Sequence, residues 1–231
     1  MYYLVIPGVL TVAQTVMGTQ MFGSRSQSND VTNSNDAFYA EGTYAFNDQT
    51  DLTIGMRRTE DEREYLRIQS LIGGGFDPAY ACPGNIDATP GVAKSDRCYQ
   101  EIDYSETTSR AILSHAYNED FLVYASYSKG YSSGGFNQDV RMKPFLPEVS
   151  DNYEVGFKST LRDGTVRLNA TYFSTIYKNQ QITVGRVIDG QPTADIINAA
   201  EADLSGLEVE LAAQLTDNLA LTMTYGLLDG E

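Results

Sequence analysis

The sequence contains no tryptophan, one histidine and two cysteines, and its 16 basic residues face 31 acidic ones. His115, Cys82 and Cys98 together supply too few imidazole and thiolate groups for a zinc site of the usual kind. The shortage of Lys and Arg excludes a nucleic-acid groove, because such a groove needs clustered cations to neutralise phosphates. We therefore expect no catalytic residue, no resident metal, no cofactor and no nucleic-acid partner.

Long apolar runs are also missing, and residues 121–125 are typical of the short runs that occur. A membrane-spanning helix needs roughly 20 predominantly apolar residues, so a helical membrane protein is excluded. A membrane β-barrel is not excluded by this test, because each of its strands needs only about 10 residues of alternating polarity.

The chain is rich in residues that favour strands, with 16 Tyr and 9 Phe. Its clearest pattern is the alternation of apolar and polar residues over 165–176, which places Val166, Leu168, Ala170 and Tyr172 on one face. The same alternation predicts seven further strands at the following positions: 38–46, 52–56, 104–117, 121–131, 153–161, 207–215 and 219–225.

Four tight turns join these strands in pairs, at residues 47–50, 118–120, 162–164 and 216–218. Longer connections alternate with the turns, at residues 11–36, 60–103, 132–150 and 182–200. Short periplasmic turns on one rim and long extracellular loops on the other are typical of outer-membrane barrels. A soluble β-sandwich with a solvated polar face remains the alternative, although four long loops are unusual in a compact domain.

Charged residues in the middle of the predicted strands all alternate with apolar neighbours, which predicts that they share a wet face such as a barrel lumen. They are Arg57, Arg110, Glu154, Lys158, Arg167, Glu208 and Glu210. Aromatic residues gather near the two strand ends and suit the interfacial girdles of a barrel. Those near the tight turns are Tyr44, Phe46, Tyr117 and Phe121, and those near the long loops are Tyr131, Tyr153 and Tyr177.

The segment LVYASYSKGYSSGGFN, residues 122–137, resembles a barrel strand and following loop of TonB-dependent outer-membrane receptors. The resemblance continues through Pro147-Glu148, NYEVGFK at 152–158, RLNATYFSTIYKNQQ at 167–181, NAAE at 198–201 and GLEVE at 206–210. The residues that carry this family signature are Tyr127, Gly130, Gly134, Gly135, Phe136, Asn137, Glu148, Glu154, Gly156, Lys158, Gln181, Asn198, Gly206 and Glu208.

This resemblance implies an antiparallel transmembrane β-barrel of 22 strands closed by a plug domain. We count about nine strands, including one at residues 2–10, and find no plug-like segment, so we expect residues 1–231 to be part of a barrel domain. The resemblance also implies outer-membrane lipid as surroundings, the TonB-ExbB-ExbD complex as energy source and a scarce nutrient such as a ferric siderophore as ligand. The ligand-binding residues are not identified by it.

Other functions stay open at this point. The barrel could be a non-transporting surface-binding protein or a passive pore, and a soluble β-sandwich binding module is the third possibility. Gly130-Tyr131-Ser132-Ser133-Gly134 matches the G-x-S-x-G elbow of hydrolases, but no helical pattern follows and His115 precedes Ser132. The acidic run at residues 60–64 could hold a cation, although such a run is more often a solvated strand end.

We predict a disulfide between Cys82 and Cys98, which stand 16 residues apart within the longest connection. That segment is rich in Gly and Pro and has no core of its own, so closing the ring would remove about 3 kcal/mol of unfolded-state freedom. An oxidising periplasm allows the bond, whereas two free thiols are expected in a cytosolic protein. Mass spectrometry of non-reduced peptides from exported protein tests this pairing, and alkylation of both cysteines without prior reduction would contradict it.

Overall fold

The computed structural model describes residues 14–22, 25–71, 97–137, 142–188 and 191–230, and every regular element in these ranges is a β-strand. No helix that is long and apolar enough to cross a membrane occurs in these ranges. The eleven strands are β1 (Gln14–Phe22), β2 (Arg25–Ala45), β3 (Thr50–Leu71), β4 (Arg97–Asn118), β5 (Phe121–Ser132), β6 (Glu148–Leu161), β7 (Val166–Lys178), β8 (Gln181–Ile188), β9 (Gln191–Asn198), β10 (Glu201–Thr216) and β11 (Leu219–Gly230).

Nine strands form one antiparallel sheet in the order β1-β2-β3-β4-β5-β6-β7-β10-β11. Each strand pairs with the next along the chain except that β7 pairs with β10, and β8 and β9 form a separate two-stranded hairpin. Strands β1 and β11 are the two edges of the described sheet. The fold is an up-and-down antiparallel meander, the topology of an outer-membrane barrel wall.

All four predicted tight turns are confirmed, and they lie at the same end of the sheet. We call this end the turn end and the opposite one the loop end. Arg162 and Asp163 adopt φ of 52° and 54°, followed by Gly164 at 87°, which is the backbone that short hairpins require. In another of these turns, the side chain of Asn118 accepts the backbone N–H of Asp120 at 2.9 Å.

Strand register divides the sheet into one apolar and one polar face. Cross-strand partners share a face, and the apolar face carries rows such as Phe157-Ala170-Val209-Tyr225, Val155-Tyr172-Leu207-Leu227 and Tyr44-Leu52-Leu113-Ala125. No described element covers it: Ile54, Val155 and Leu227 are 50%, 55% and 58% exposed. Among the described residues no second sheet packs on this apolar face, which is the arrangement of a barrel wall and not of a β-sandwich.

Near the turn end, aromatic rings contact one another across β4, β5 and β6. The ring of Tyr117 lies 4.6 Å from that of His115 and 5.8 Å from that of Phe121, which in turn lies 5.7 Å from Phe157. His115 sits on the apolar face and its Nδ1 lies 2.8 Å from the Thr50 hydroxyl, so it is a strand residue at the interface, as expected. Tyr131 departs from the predicted girdle, because its hydroxyl donates to Asp61 at 2.7 Å.

Three of the four predicted long connections contain long strand segments, which the sequence pattern did not reveal, and the fourth contains only the ends of β5 and β6. Residues 11–36 contain β1 and the first part of β2, residues 60–103 contain the outer parts of β3 and β4, and residues 182–200 contain the β8–β9 hairpin. On outer β3 the face that is apolar further down carries Glu60, Glu62 and Glu64 instead, so the contrast between apolar and polar positions that marks the inner strands is lost there. The expected strand at residues 2–10 lies outside the described residues.

The face assignment predicts unequal effects of arginine at two neighbouring positions of β7. Leu168 lies on the apolar face opposite Leu211, and Asn169 lies on the polar face opposite Glu210. We expect Leu168→Arg to cost about 2 to 4 kcal/mol and Asn169→Arg to cost little, because only the first places a charge in hydrocarbon. Guanidinium titration of the receptor barrel in lipid vesicles measures both costs, and an equal or reversed ranking would contradict the assignment.

Candidate functional site

The mid-strand charges predicted to share a face do so. Arg57 faces Thr108, Arg110 lies between Gly55 and Ser128, and Glu208 and Glu210 continue the same face on β10. Glu154, Lys158 and Arg167 occupy the corresponding register positions on β6 and β7. The polar face therefore carries both signs of charge, as the lumen wall of a barrel does.

A cavity of about 310 Å³ lies on this wall beside Arg57, Arg110 and Lys129. Arg110 pairs with Glu41 at 2.8 Å and Lys129 pairs with Glu106 at 2.6 Å. Arg57 donates from Nε to the Thr59 hydroxyl at 3.0 Å. Carboxylates thus neutralise two of the three cations beside this cavity, whereas the contact of Arg57 is to a hydroxyl.

Several signature residues shape the wall itself. Glu154 accepts a hydrogen bond from Asn152 at 2.7 Å, and the Lys158 ammonium lies 5.9 Å from the ring centre of Tyr124. The Tyr127 hydroxyl donates to Asp151 at 2.8 Å. The glycines sit where a side chain would collide: a Cβ would meet Ser150 at Gly130, Ala170 and Tyr124 at Gly156, and Leu227 and Phe173 at Gly206.

The described parts of the β5–β6 loop, residues 133–137 and 142–147, fold over the polar face at the loop end. Gly135 and Phe145 exchange both backbone hydrogen bonds, at 3.0 and 2.9 Å. The ring of Phe136 stacks on Tyr65 at 5.5 Å, and the Tyr104 hydroxyl donates to the Phe145 carbonyl at 3.0 Å. Tyr65 and Tyr104 share the face of Arg57 and Arg110, so the loop lies over the lumen side of the wall.

Two signature asparagines connect this loop to the β8–β9 hairpin. Asn137 accepts the N–H of Ile196 at 2.7 Å and donates to its carbonyl at 2.9 Å. Asn198 accepts the N–H of Leu146 at 2.7 Å and donates to its carbonyl at 2.9 Å. Each amide therefore satisfies both backbone groups of one residue, as a neighbouring strand would.

Gln181 and Glu148 complete the connection. The backbone N–H of Gln181 donates to Glu148 at 2.6 Å, and its side-chain amide donates to the carbonyls of Ser133 and Leu146, both at 3.1 Å. The signature residues Asn137, Glu148, Gln181 and Asn198 thus form one polar network, although they come from separate stretches of the sequence. We call the side chains of Asn137, Gln181 and Asn198 the amide bridge.

Next to this network, the inward face of β3 carries Asp61, Arg63 and Tyr65. Asp61 accepts hydrogen bonds from Asn35 and Tyr131, both at 2.7 Å, and the Arg63 guanidinium lies beside Gly135. Burial raises the pKa of the Tyr65 phenol, so it stays neutral and donates to Asn29 at 3.2 Å. We call Asp61, Arg63, Tyr65, Tyr104 and Tyr131 the mouth cluster.

Sequence reasoning missed the mouth cluster. No motif contains Tyr65 or Tyr104, and Asp61 and Arg63 belong to the acidic run at residues 60–64, which does not mark them out individually. The only signal that could have found them is the period of two, continued past Glu60 into the outer part of β3.

The acidic run itself is divided by the strand. Glu62 and Glu64 point away from the mouth cluster and lie directly opposite Asp103 and Glu101. Among the described residues no group of His, Cys, Asp or Glu has the arrangement of a metal site. Only the outward half of the run, Glu60, Glu62 and Glu64, is exposed, whereas Asp61 is buried in the mouth cluster.

Two further expectations concern Ser132 and the cysteines. Ser132 ends β5 and leads into the Gly135–Phe145 bridge, so the turn from strand to helix that a nucleophile elbow needs is missing from the described residues around it. Cys98 is buried beside Tyr65 at the start of β4. Cys82 lies outside the described residues, and its disulfide with Cys98 stays a prediction.

The packing of the β5–β6 loop predicts a large effect of one methyl group. A Cβ at Gly134 would overlap the Phe145 carbonyl and approach the Tyr104 ring within 2.5 Å. A Cβ at Gly185 in the hairpin would meet no atom within 4 Å. We expect Gly134→Ala to destabilise the loop by about 1 to 3 kcal/mol and Gly185→Ala to have little effect. Limited proteolysis of the intact receptor measures loop opening, and equal cleavage of the two variants would contradict this packing.

The chain was compared with known proteins. A profile of the family described as "TonB dependent receptor-like, beta-barrel" matches residues 9–231. The pesticin receptor of Yersinia enterocolitica is 27% identical over 178 residues, which are 75% of this chain and 23% of that protein. The ferric-pyoverdine M114 receptor PbuA of Pseudomonas sp. is 29% identical over 110 residues, or 47% of this chain and 13% of that one.

Among solved structures, the ferric yersiniabactin uptake receptor FyuA from Yersinia pestis matches with a TM-score of 0.67 at 21% identity. That match covers 90% of this chain and 28% of FyuA. This chain thus spans about a quarter of the length of the pesticin receptor. These relatives are receptors, not enzymes, and the chain belongs to the TonB-dependent receptor-like β-barrel family.

Proposed function

We propose that this chain is part of the barrel wall of an outer-membrane receptor that takes up a scarce nutrient in a Gram-negative bacterium. A ferric siderophore is the best-supported ligand, and uptake is energised through TonB-ExbB-ExbD. The turn end is then periplasmic and the loop end extracellular. Residues 1–231 belong to the barrel domain, and the lumen-filling plug is a separate domain of the same receptor.

The observation that supports this proposal best is the mouth cluster. Three tyrosines and Arg63 gather at the extracellular end of a polar lumen wall, under a loop that folds inward. The buried Nε of Arg63 has no hydrogen-bond partner among the described residues, so the cluster leaves one charged donor unmet. Ferric chelates carry anionic oxygens on an apolar frame, which suits guanidinium and phenol groups.

The relatives support the same ligand class. The names of two of them specify ferric pyoverdine and ferric yersiniabactin, both iron complexes. Because these proteins share less than a third of their residues with this chain, they support a class of ligand and not one compound. The mouth cluster contains residues from β3, β4 and β5, so its composition sets which chelate fits.

Transport by the receptor that contains this chain tests the proposal. We expect uptake of a radiolabelled ferric siderophore by iron-starved cells to saturate and to require TonB. Replacing Arg63 with Ala removes a charged donor from the mouth and should raise the half-saturation concentration about tenfold. The matched control is Arg58→Ala, because Arg58 lies on the opposite face and bonds Ser105 and Thr107.

Three results would contradict the proposal. Uptake that does not saturate and persists without TonB would support a passive pore. Binding without uptake would support a surface-binding barrel. An equal change of the half-saturation concentration in the Arg63 and Arg58 variants would mean that the mouth cluster does not contact the ligand.

A further inference from the structure

We infer that Asn137, Gln181 and Asn198 are positioning residues that join the β5–β6 loop and the β8–β9 hairpin into one rigid body at the mouth of the barrel. The loop and the hairpin are separate segments of the sequence, and nothing in the topology requires them to move together. The amide bridge is the contact that makes them one unit.

The first argument is the geometry of the two asparagines. Each uses its oxygen and its nitrogen on the N–H and the carbonyl of a single partner residue, at distances from 2.7 to 2.9 Å. Two hydrogen bonds to one peptide segment fix its orientation as well as its distance, which one hydrogen bond does not do. The two pairs are reciprocal: Asn137 of the loop binds Ile196 of the hairpin, and Asn198 of the hairpin binds Leu146 of the loop.

The second argument is that the hairpin needs outside support. Strands β8 and β9 pair only with each other in the described sheets, and an isolated two-stranded hairpin is marginally stable in water. Asn137 occupies the backbone groups of Ile196, and Asn198 and Gln181 reach Leu146. The amide bridge therefore supplies the contacts that a third strand would otherwise supply.

The third argument is burial at the contact. Asp195, next to Ile196, is 0% exposed although it carries a carboxylate. Arg186 on the partner strand pairs with Asp195 at 3.3 Å and approaches the Met142 sulfur of the loop at 3.0 Å. Separating Arg186 from a carboxylate buried this completely is costly, so the pair resists opening of β8 from β9, and Arg186 adds a contact to the loop at Met142.

The fourth argument connects the rigid body to the mouth cluster. The loop is held to the wall by the stacking of Phe136 on Tyr65 and by the hydrogen bond from Tyr104 to Phe145. Gly135 places the loop backbone against Arg63. A displacement of the loop would therefore move the groups around Arg63, which under the proposed function contact the ligand.

The test uses the full receptor in outer membranes, with spin labels at the exposed positions Lys143 in the loop and Val187 in the hairpin. Distances between the labels are measured by pulsed electron resonance in the unsubstituted receptor, in Asn137→Ala/Asn198→Ala, and in Asn198→Asp. The aspartate keeps the acceptor for the Leu146 N–H and loses the donors. The control is Asn169→Ala, whose amide makes one contact of 3.5 Å on the wall.

We expect one narrow distance distribution in the unsubstituted receptor and in the control, a broad one in the double variant and an intermediate one in Asn198→Asp. The half-saturation concentration for ferric siderophore uptake should rise about tenfold in the double variant, with the maximal rate within about twofold. Heat-modifiable mobility on gels confirms that each variant forms a barrel, so a folding defect is recognised separately.

An unchanged distance distribution in both amide variants would overturn the rigid-body inference, whatever the ligand is. A broad distribution with an unchanged half-saturation concentration would overturn the positioning role. Failure of the unsubstituted receptor to take up any ferric siderophore would instead overturn the proposed function, and the distance measurement would still decide the rigid body.

Discussion

The structure depends on one constraint, namely that hydrocarbon cannot satisfy backbone N–H and C=O groups. Every strand that crosses it must therefore pair on both sides, and β3, β6, β7 and β10 have a partner on each side over almost their whole length. Pairing places alternate side chains on opposite faces. One face then becomes apolar, with Val155, Tyr172 and Leu207 in one row, while the other keeps the charges of Arg57, Arg110 and Glu208.

Beyond the hydrocarbon the same strands obey a different rule. Water on the outward side removes the need for an apolar face there, and the outward face of β3 and β4 carries the opposed carboxylates Glu62 and Asp103. Like charges directly opposite each other weaken strand pairing, but they also discourage other chains from adding to the sheet. The inward face of the same segment carries Arg63 and Tyr65, which the folded loop covers.

The loop end replaces strand pairing with side-chain amides. Backbone groups in the β5–β6 loop and the hairpin are satisfied by Asn137, Gln181 and Asn198 instead of by a continuous ladder. Side-chain amides suit this role, because each carries one hydrogen-bond acceptor and two donors in one plane. This explains why residues that carry the family resemblance occur in a segment with no strand pattern of its own.

The sequence by itself determined the antiparallel strands, the four tight turns and the division of charges between faces, because alternation and turn chemistry are local. It did not reveal the outer parts of β2, β3 and β4 or the β8–β9 hairpin, whose residues have no face to bury in lipid. Only the tertiary structure decided that β7 pairs with β10 and that Asn137 meets Ile196. These contacts join residues tens of positions apart, and no local pattern encodes such a meeting.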